Sequence, residues 1–245
     1  MTDITPIYNE KALKIGDALV IADLHIGIEH QLSKKGVKVP SQIQKMEDRI
    51  QTLSETAKAE RLIILGDLKH NIPKSSLQEY RGIPRFINSL KKHLDIVIVK
   101  GNHDGRIEQL LPGIDISKHL EVDNALLTHG HSWPKSVDFD HIIMGHNHPC
   151  IEFVDDFGRR SREPAWIKTR FNHKINDFYD LKRTPEIIIM PAFNDLITGS
   201  PFNREGKQKL IGPFFNKGVV DLEGANAYLL DGTFLGRIKD LRPEV

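Results

Sequence analysis

The chain has 245 residues, and its 39% hydrophobic and 27% charged content is typical of a globular protein and excludes a disordered one. Its 34 basic and 33 acidic residues leave a net charge of +1, so overall charge does not indicate a nucleic-acid or membrane partner. The single cysteine, Cys150, excludes an internal disulfide framework. No apolar stretch approaches the ~20 residues of a membrane span. We expect one cytoplasmic domain over residues 1–245, with no membrane partner; no particular oligomeric state is indicated.

The first hundred residues contain three short runs rich in Val, Ile and Leu, at 18–22, 61–65 and 95–99. Each run is too short for a helix, and this composition is typical of buried parallel strands. The segments between the runs have apolar residues at helical spacing. The pattern therefore predicts β-α-β-α-β, with right-handed crossovers and a parallel sheet.

The ends of the two predicted helices carry recognisable residue types. Ser41 is a candidate N-cap for the first helix, and Ser76 with Glu79 forms a candidate capping box for the second. Gly82 and Pro84 fall inside the second helix, where we expect them to interrupt it.

Further strands are predicted in the second half of the chain, at 125–128, 141–144 and 186–190. A hairpin follows near the C-terminus, with Asp231 and Gly232 as a candidate type I′ turn. The polar and basic segment 155–185 is interpreted as an excursion within a single domain.

Side chains that bind metals or transfer protons follow five of these runs. In chain order, they are Asp23 and His25, then Asp67 and His70, then Asn102, His103 and Asp104, then His129 and His131, and finally His146 and His148. Each block alone is ordinary loop material, but five in succession behind strands are a strong indication, because such folds bind ligands at the carboxyl ends of their strands.

The donors are carboxylate, imidazole and amide groups without a thiol, a set that suits Mn²⁺, Fe²⁺, Mg²⁺ or Zn²⁺. Seven or more candidate ligands are too many for one tetrahedral ion. They suit two ions about 3.5–4 Å apart that share one carboxylate. We expect Mn²⁺, with Fe²⁺, Zn²⁺, Mg²⁺ and Ni²⁺ as alternatives.

The blocks Asp-x-His, Gly-Asp, Gly-Asn-His-Asp, His-Gly and Gly-His-x-His, in this order over residues 23–148, resemble those of the calcineurin-like metallophosphoesterases. The resemblance implies an α/β fold, a four-layer α/β/β/α sandwich with two central mixed sheets and two metals at the sheet edges. The implied ligands are Asp23, His25 and His148 for the first metal and Asn102, His129 and His146 for the second. Asp67 would bridge the two metals, and His103 would face the substrate.

One position departs from the common family pattern. Many family phosphatases have Gly-Asp-x-x-Asp, whose last carboxylate orients the histidine of the Asn-His block. Here that position is His70, a form similar to the SbcD-type DNA-repair nucleases and to the small SbcD-related phosphoesterases of archaea and bacteria. The departure argues against an Asp–His pair of the phosphatase type, and it offers a second imidazole near the leaving group.

The expected function is hydrolysis of phosphodiester bonds by a hydroxide shared between two metals, with nuclease activity on single- or double-stranded DNA as its specific form. His103 would protonate the leaving oxygen or stabilise phosphoryl charge. Asp104 would orient His103 or stabilise the turn, and Asn102 and His131 would contact substrate. The alternatives are a phosphomonoesterase, a nucleotide or nucleotide-sugar pyrophosphatase, and a non-catalytic scaffold.

A cluster of basic residues follows the last block. Its members are Arg159, Arg160, Arg162, Lys168 and Arg170. Such a cluster can follow a phosphate backbone. We expect a solvated face instead, because acidic residues elsewhere balance the total charge.

Overall fold

Two β-sheets lie face to face in the computed structural model, which describes residues 3–73, 75–204 and 210–243. The first sheet has six strands in the spatial order of the chain: β1 (Ile4–Pro6), β2 (Ala12–Ile15), β3 (Ala18–Ile21), β4 (Arg61–Leu65), β5 (Asp95–Val99) and β6 (Asp115–Ser117). The first three strands are antiparallel, whereas β3 to β6 are parallel, so this sheet is mixed.

The second sheet is also mixed and has nine strands. They are β7 (His119–Val122), β8 (Ala125–Thr128), β9 (His141–Met144), β10 (Pro149–Val154), β11 (Arg160–Arg170), β12 (Glu186–Ile189), β13 (Ser200–Pro201), β14 (Asn226–Leu229) and β15 (Phe234–Arg237). The order is β13-β10-β11-β12-β9-β8-β7, and β14 pairs with β11 and β15. At its centre β8, β9 and β12 are parallel.

The described helices are α1 (Ile28–Lys34), α2 (Ile43–Ala57), α3 (Leu77–Leu90), α4 (Ile107–Leu110) and α5 (Pro213–Asn216). Alternation along the strands separates the core into layers. In β3, Leu19 and Ile21 pack with α2 and α3, whereas Val20 faces the second sheet. None of the described helices combines the length and apolar character required to cross a bilayer.

Among the described residues, the helical layer on the outer face of the second sheet is thin. Short helix α5 and the 3-10 turns His173–Asp177 and Ile238–Leu241 pack there around Phe214. The four-layer sandwich with two mixed sheets is confirmed, and its two helical layers differ in thickness.

The predicted β-α-β-α-β order is observed as β3-α2-β4-α3-β5, and the capping box of Ser76 and Glu79 is present. Two details of the helices were wrong. The N-cap of α2 is Gln42, one residue after Ser41. Helix α3 continues through Gly82 and Pro84. Gly82 lies against α2, where a Cβ would be 2.7 Å from Ile43 Cδ1.

The C-terminal half holds two further corrections. Residues predicted as an excursion include β11, an eleven-residue strand that pairs with β10 through its first half and with β12 and β14 through its second. The hairpin of β14 and β15 is present, but Asp231 lacks the positive φ that a type I′ turn requires. Gly232, at φ 82°, alone takes the left-handed conformation in this turn.

Candidate metal centre

The carboxyl ends of parallel strands from the two sheets meet at one place. Asp23 follows β3 and Asp67 follows β4, while His129 follows β8 and His146 follows β9. The backbone N–H of His146 donates to Asp23 Oδ2 at 3.0 Å, which ties the second sheet to the first. The parallel strand ends therefore bring residues from all five sequence blocks into one site.

The backbone at this site is unusual. Five polar residues have positive φ: Asp23 at 58°, His25 at 44°, Asp67 at 50°, His146 at 70° and His148 at 45°. This left-handed region is uncommon for residues with a side chain and is concentrated at functional sites. The sharp turns direct side chains from the strand ends into one small volume.

Glycines allow the close approach of these side chains. A Cβ at Gly66, whose φ is 83°, would be 2.1 Å from His129 Nδ1, and a Cβ at Gly101 would be 2.1 Å from Asp67 Oδ1. Neither position can accept a larger residue without displacing a site side chain.

The first group of candidate ligands comprises Asp23, His25 and His148, whose donor atoms lie within 4.8 Å of one another. His148 Nε2 is 3.3 Å from Asp23 Oδ1 and 3.3 Å from His25 Nε2. Two imidazole nitrogens that face each other beside a carboxylate are suited to sharing one cation.

The second group comprises Asp67, His129 and His146, again with donor atoms within 4.8 Å. Asn102 Oδ1 is 3.1 Å from His129 Nε2, so the amide joins this group. The Nδ1–H of His129 donates to the carbonyl of Leu65 at 3.2 Å, which directs Nε2 into the site. Such a bond on the other ring nitrogen is usual for a metal-binding histidine.

Asp67 lies between the two groups. Its Oδ2 is 3.6 Å from His25 Nε2 and 3.3 Å from His129 Nε2. Asp23 and Asp67 are almost fully buried, and an isolated buried carboxylate is costly. This donor set, with two buried carboxylates and converging imidazoles, fits two divalent ions.

Burial and neighbouring charges shift the pKa values of the clustered side chains in different directions. Burial opposes a charge on His129, but Asp67 and Asp23 outweigh it and raise its pKa to about 9. Burial also disfavours the charged form of Asp67, but His129 and His25 hold its pKa below the usual range. By contrast, burial lowers the pKa of His25 and His146 to about 3.

His103 and His70 lie together on the His25 side of the site. The backbone N–H of His103 donates to Asp67 Oδ1 at 2.8 Å, and its ring Nδ1–H donates to the carbonyl of His70. The rings of His103 and His70 are stacked with centroids 5.7 Å apart. The His70 carbonyl thus orients His103, a task for which the sequence offers no carboxylate at that position.

The His70 side chain has contacts of its own. Its Nδ1 is 3.3 Å from His25 Nδ1, and its Nε2 is 2.8 Å from Gln31 Oε1. His25, His70 and His103 also form a third group with donor atoms within 4.8 Å.

Asp104 lies next to His103 in the chain but has other hydrogen-bond partners. Its buried carboxylate accepts hydrogen bonds from the backbone N–H of Gly101 at 2.9 Å and of Lys69 at 3.2 Å. Its partners are therefore backbone groups, and the ring of His103 is oriented by His70 instead. These contacts favour the second of the two roles expected for Asp104, which is to stabilise the turn.

His131 lies beside the second group, with its ring centroid 5.3 Å from that of His129. Its buried Nδ1 has no hydrogen-bond partner among the described residues. Burial lowers the pKa of His131 to about 4, so it is neutral near pH 7.

Comparison with known proteins identifies the family of this chain. The family model described as calcineurin-like phosphoesterase matches residues 17–191, more than half of the chain. The chain belongs to the calcineurin-like phosphoesterase family. No curated protein sequence gives a significant match to this phosphoesterase.

Two solved structures illustrate the likeness. The Pseudomonas putida nuclease MPE is 19% identical, with a TM-score of 0.57 over 96% of this chain and 100% of that one. The phosphoesterase YfcE from E. coli is 16% identical, with a TM-score of 0.41 over 90% of this chain and 97% of that one. At these identities the likeness to the nuclease shows the fold alone.

A residue that the sequence analysis did not assign supports the first group of the phosphoesterase. The buried Asn194 donates through Nδ2 to the carbonyl of Leu24 at 2.7 Å. Leu24 lies between Asp23 and His25, so Asn194 holds the turn that presents both. In the sequence, the signal for this role is the segment Pro-Ala-Phe-Asn-Asp-Leu at 191–196, which follows a predicted strand.

Asn194→Ala is expected to weaken metal binding about 10- to 100-fold, as changes behind metal ligands commonly do. The variant leaves a buried carbonyl without its donor, at a cost of about 1–3 kcal/mol in stability. Titration calorimetry with Mn²⁺ measures the first effect and denaturant unfolding the second. An unchanged affinity for Mn²⁺ in a destabilised variant would show that Asn194 contributes to packing and not to the metal site.

Stability of the metal-free phosphoesterase is expected to be greatest near pH 6.5. His25 and His146, with pKa values of about 3, resist the protonation that unfolding permits, so stability falls as pH drops below 6.5. His129, with a pKa of about 9, contributes stability that is complete below pH 6.5 and is lost as pH rises towards 9. Melting temperatures in chelator between pH 4 and 9 test this, and His129→Gln should remove the alkaline decline.

Proposed function

We propose that the chain is a two-metal phosphodiesterase whose physiological activity is that of a nuclease. The observation that supports it best is Asp67, whose Oδ2 lies 3.6 Å from His25 Nε2 of the first ligand group and 3.3 Å from His129 Nε2 of the second. Asp23, His25 and His148 would hold one ion, and Asn102, His129 and His146 the other. When bound, the two ions supply Lewis acidity and neutralise charge at the phosphoryl group.

The chain's own residues account for the remaining chemistry. His103 Nδ1 is held by the His70 carbonyl, so its Nε2 is the ring atom free to hold a proton. Nε2 lies 3.9 Å from Asp67 Oδ2, next to the bridging position. The imidazolium of His103 would transfer the Nε2 proton to the leaving oxygen.

Three residues have supporting roles. His70 orients His103 through its carbonyl and places a second imidazole at the leaving-group side. Asn102 and His131 would contact the phosphoryl oxygens from the side of the second ion. The neutral form of His131 can donate a hydrogen bond without adding charge.

The preference for diesters rests on His70, which occupies the position of the carboxylate in many family phosphatases. A nuclease is favoured because this form resembles DNA-repair nucleases and because the structurally similar P. putida protein is a nuclease. Single- or double-stranded DNA is the expected substrate.

The direct test is hydrolysis of bis(p-nitrophenyl) phosphate and p-nitrophenyl phosphate, side by side with Mn²⁺. We expect a kcat/KM at least about tenfold higher for the diester, equivalent to about 1.4 kcal/mol in transition-state binding. A preference for the monoester would contradict the proposal and favour a phosphomonoesterase acting on small metabolites.

A further inference from the structure

A pocket of about 420 Å³ lies beside the proposed metal centre, because His148 forms part of its wall. Its apolar lining includes Pro149, Pro164 and Ile197. The volume is within the range of small-molecule sites, about 300–1,000 Å³. A bound group there would therefore be adjacent to a candidate metal ligand.

The lining segment that contains Gly199 is bonded to the backbone of His148, a candidate metal ligand. The N–H of Ser200 donates to the carbonyl of His148 at 2.8 Å. A Cβ at Gly199 would be 2.6 Å from the same oxygen, so the segment passes against His148 at close range. The pocket and the metal centre are consequently parts of one surface.

Two cation-rich ion clusters flank the pocket. In one cluster Lys11, a lining residue, contacts Asp195 at 2.9 Å. In the other Arg162, also a lining residue, contacts the buried Glu152 at 3.1 Å. Among the residues that the structure describes, the members of the clusters are Lys11, Lys45 and Arg49 with Glu10 and Asp195, and Arg160, Arg162 and Arg204 with Glu152.

The charges of these clusters do not balance. Six cations face three carboxylates, a surplus of three positive charges in a chain whose net charge is +1. The basic segment after the last block, expected to be a solvated face, thus contributes Arg160 and Arg162 to the flank of a pocket. Such a local surplus attracts anions towards the cleft.

We propose that this pocket binds the nucleotide next to the scissile phosphodiester, with its phosphate beside Arg162 and its sugar and base on the apolar lining. The proposal rests on the proposed function and extends it, because it requires a substrate with at least two phosphates. Arginine suits this task, since its guanidinium donates two hydrogen bonds to one phosphate.

The test compares the thymidine dinucleotide TpT, which has one phosphate, with the trinucleotide TpTpT, which has two. In the wild type with Mn²⁺, kcat/KM for TpTpT should exceed that for TpT about tenfold, beyond the twofold statistical factor of its second bond. Arg162→Gln should lower this preference to below about threefold.

Thr198 supplies a second variant, because it is an exposed lining residue whose replacement need not disturb folding. Thr198→Glu adds a negative charge to the pocket, whereas Thr198→Gln adds a neutral side chain of the same shape. The glutamate variant should lower the preference for TpTpT over TpT at least fivefold more than the glutamine variant. Lys92→Gln, at the exposed end of α3 before β5, is the control for a lost charge and should retain the preference.

The outcomes separate the two proposals. Equal kcat/KM for TpT and TpTpT after the statistical correction would overturn the pocket assignment alone. No cleavage of either while bis(p-nitrophenyl) phosphate is hydrolysed would overturn the pocket assignment and the nuclease activity, but not the phosphodiesterase function. Failure to hydrolyse any of the three diesters would overturn the phosphodiesterase function as well.

Discussion

Asp67→Asn should lower diester hydrolysis at least about 1,000-fold and reduce the bound Mn²⁺ from two ions to one or none. The carboxylate lies 3.6 Å from His25 Nε2 and 3.3 Å from His129 Nε2, between the two ligand groups. An amide carries no negative charge, and when its oxygen accepts the His103 N–H its NH2 group takes the Oδ2 position and offers no lone pair to a metal. Native mass spectrometry of the folded variant measures its metal content, and turnover of bis(p-nitrophenyl) phosphate measures its activity.

The variant should remain folded. The amide oxygen of the substituted side chain can still accept the backbone N–H of His103, which donates to Asp67 Oδ1 at 2.8 Å in the wild type. Asp95→Asn is the matched control, because Asp95 begins β5 at the opposite edge of the sheet. Two tightly bound ions and full turnover in Asp67→Asn would refute the bridging role.

His103→Ala should reduce cleavage of TpT about 10²- to 10⁴-fold while leaving two ions bound. The substitution removes the ring but keeps the backbone N–H that bonds Asp67. Since p-nitrophenolate leaves without a proton, the loss on bis(p-nitrophenyl) phosphate should be at most about tenfold if His103 acts as a proton donor.

His93→Ala, at the exposed end of α3, is the control for removing an imidazole and should have no effect on either substrate. An equal loss on both substrates would assign His103 to stabilising phosphoryl charge. Full activity of His103→Ala on TpT would exclude any role in the reaction.

The core of the fold and the members of the site could be predicted because the signals are local. Each ligand block directly follows a short apolar strand, as Asp23 follows β3 and Asp67 follows β4. Neighbouring parallel strands end at the same edge, so their order along the chain already implies proximity.

The remaining features depend on contacts between distant parts of the chain. The bond from Asn194 to Leu24 joins residues 170 positions apart, and only the folded sheets bring them together. The sequence predicts that Gly82 interrupts the helix. In the structure a glycine is needed there, because a Cβ would collide with Ile43. Asp104 likewise follows His103 directly, but its carboxylate turns back to backbone N–H groups.

The most direct test of the two-metal site is anomalous diffraction from crystals soaked in Mn²⁺. We predict two peaks about 3.5–4 Å apart. One should be bound by Asp23, His25 and His148, the other by Asn102, His129 and His146, with Asp67 between them. A single peak, or a peak held by His25, His70 and His103, would contradict the site described above.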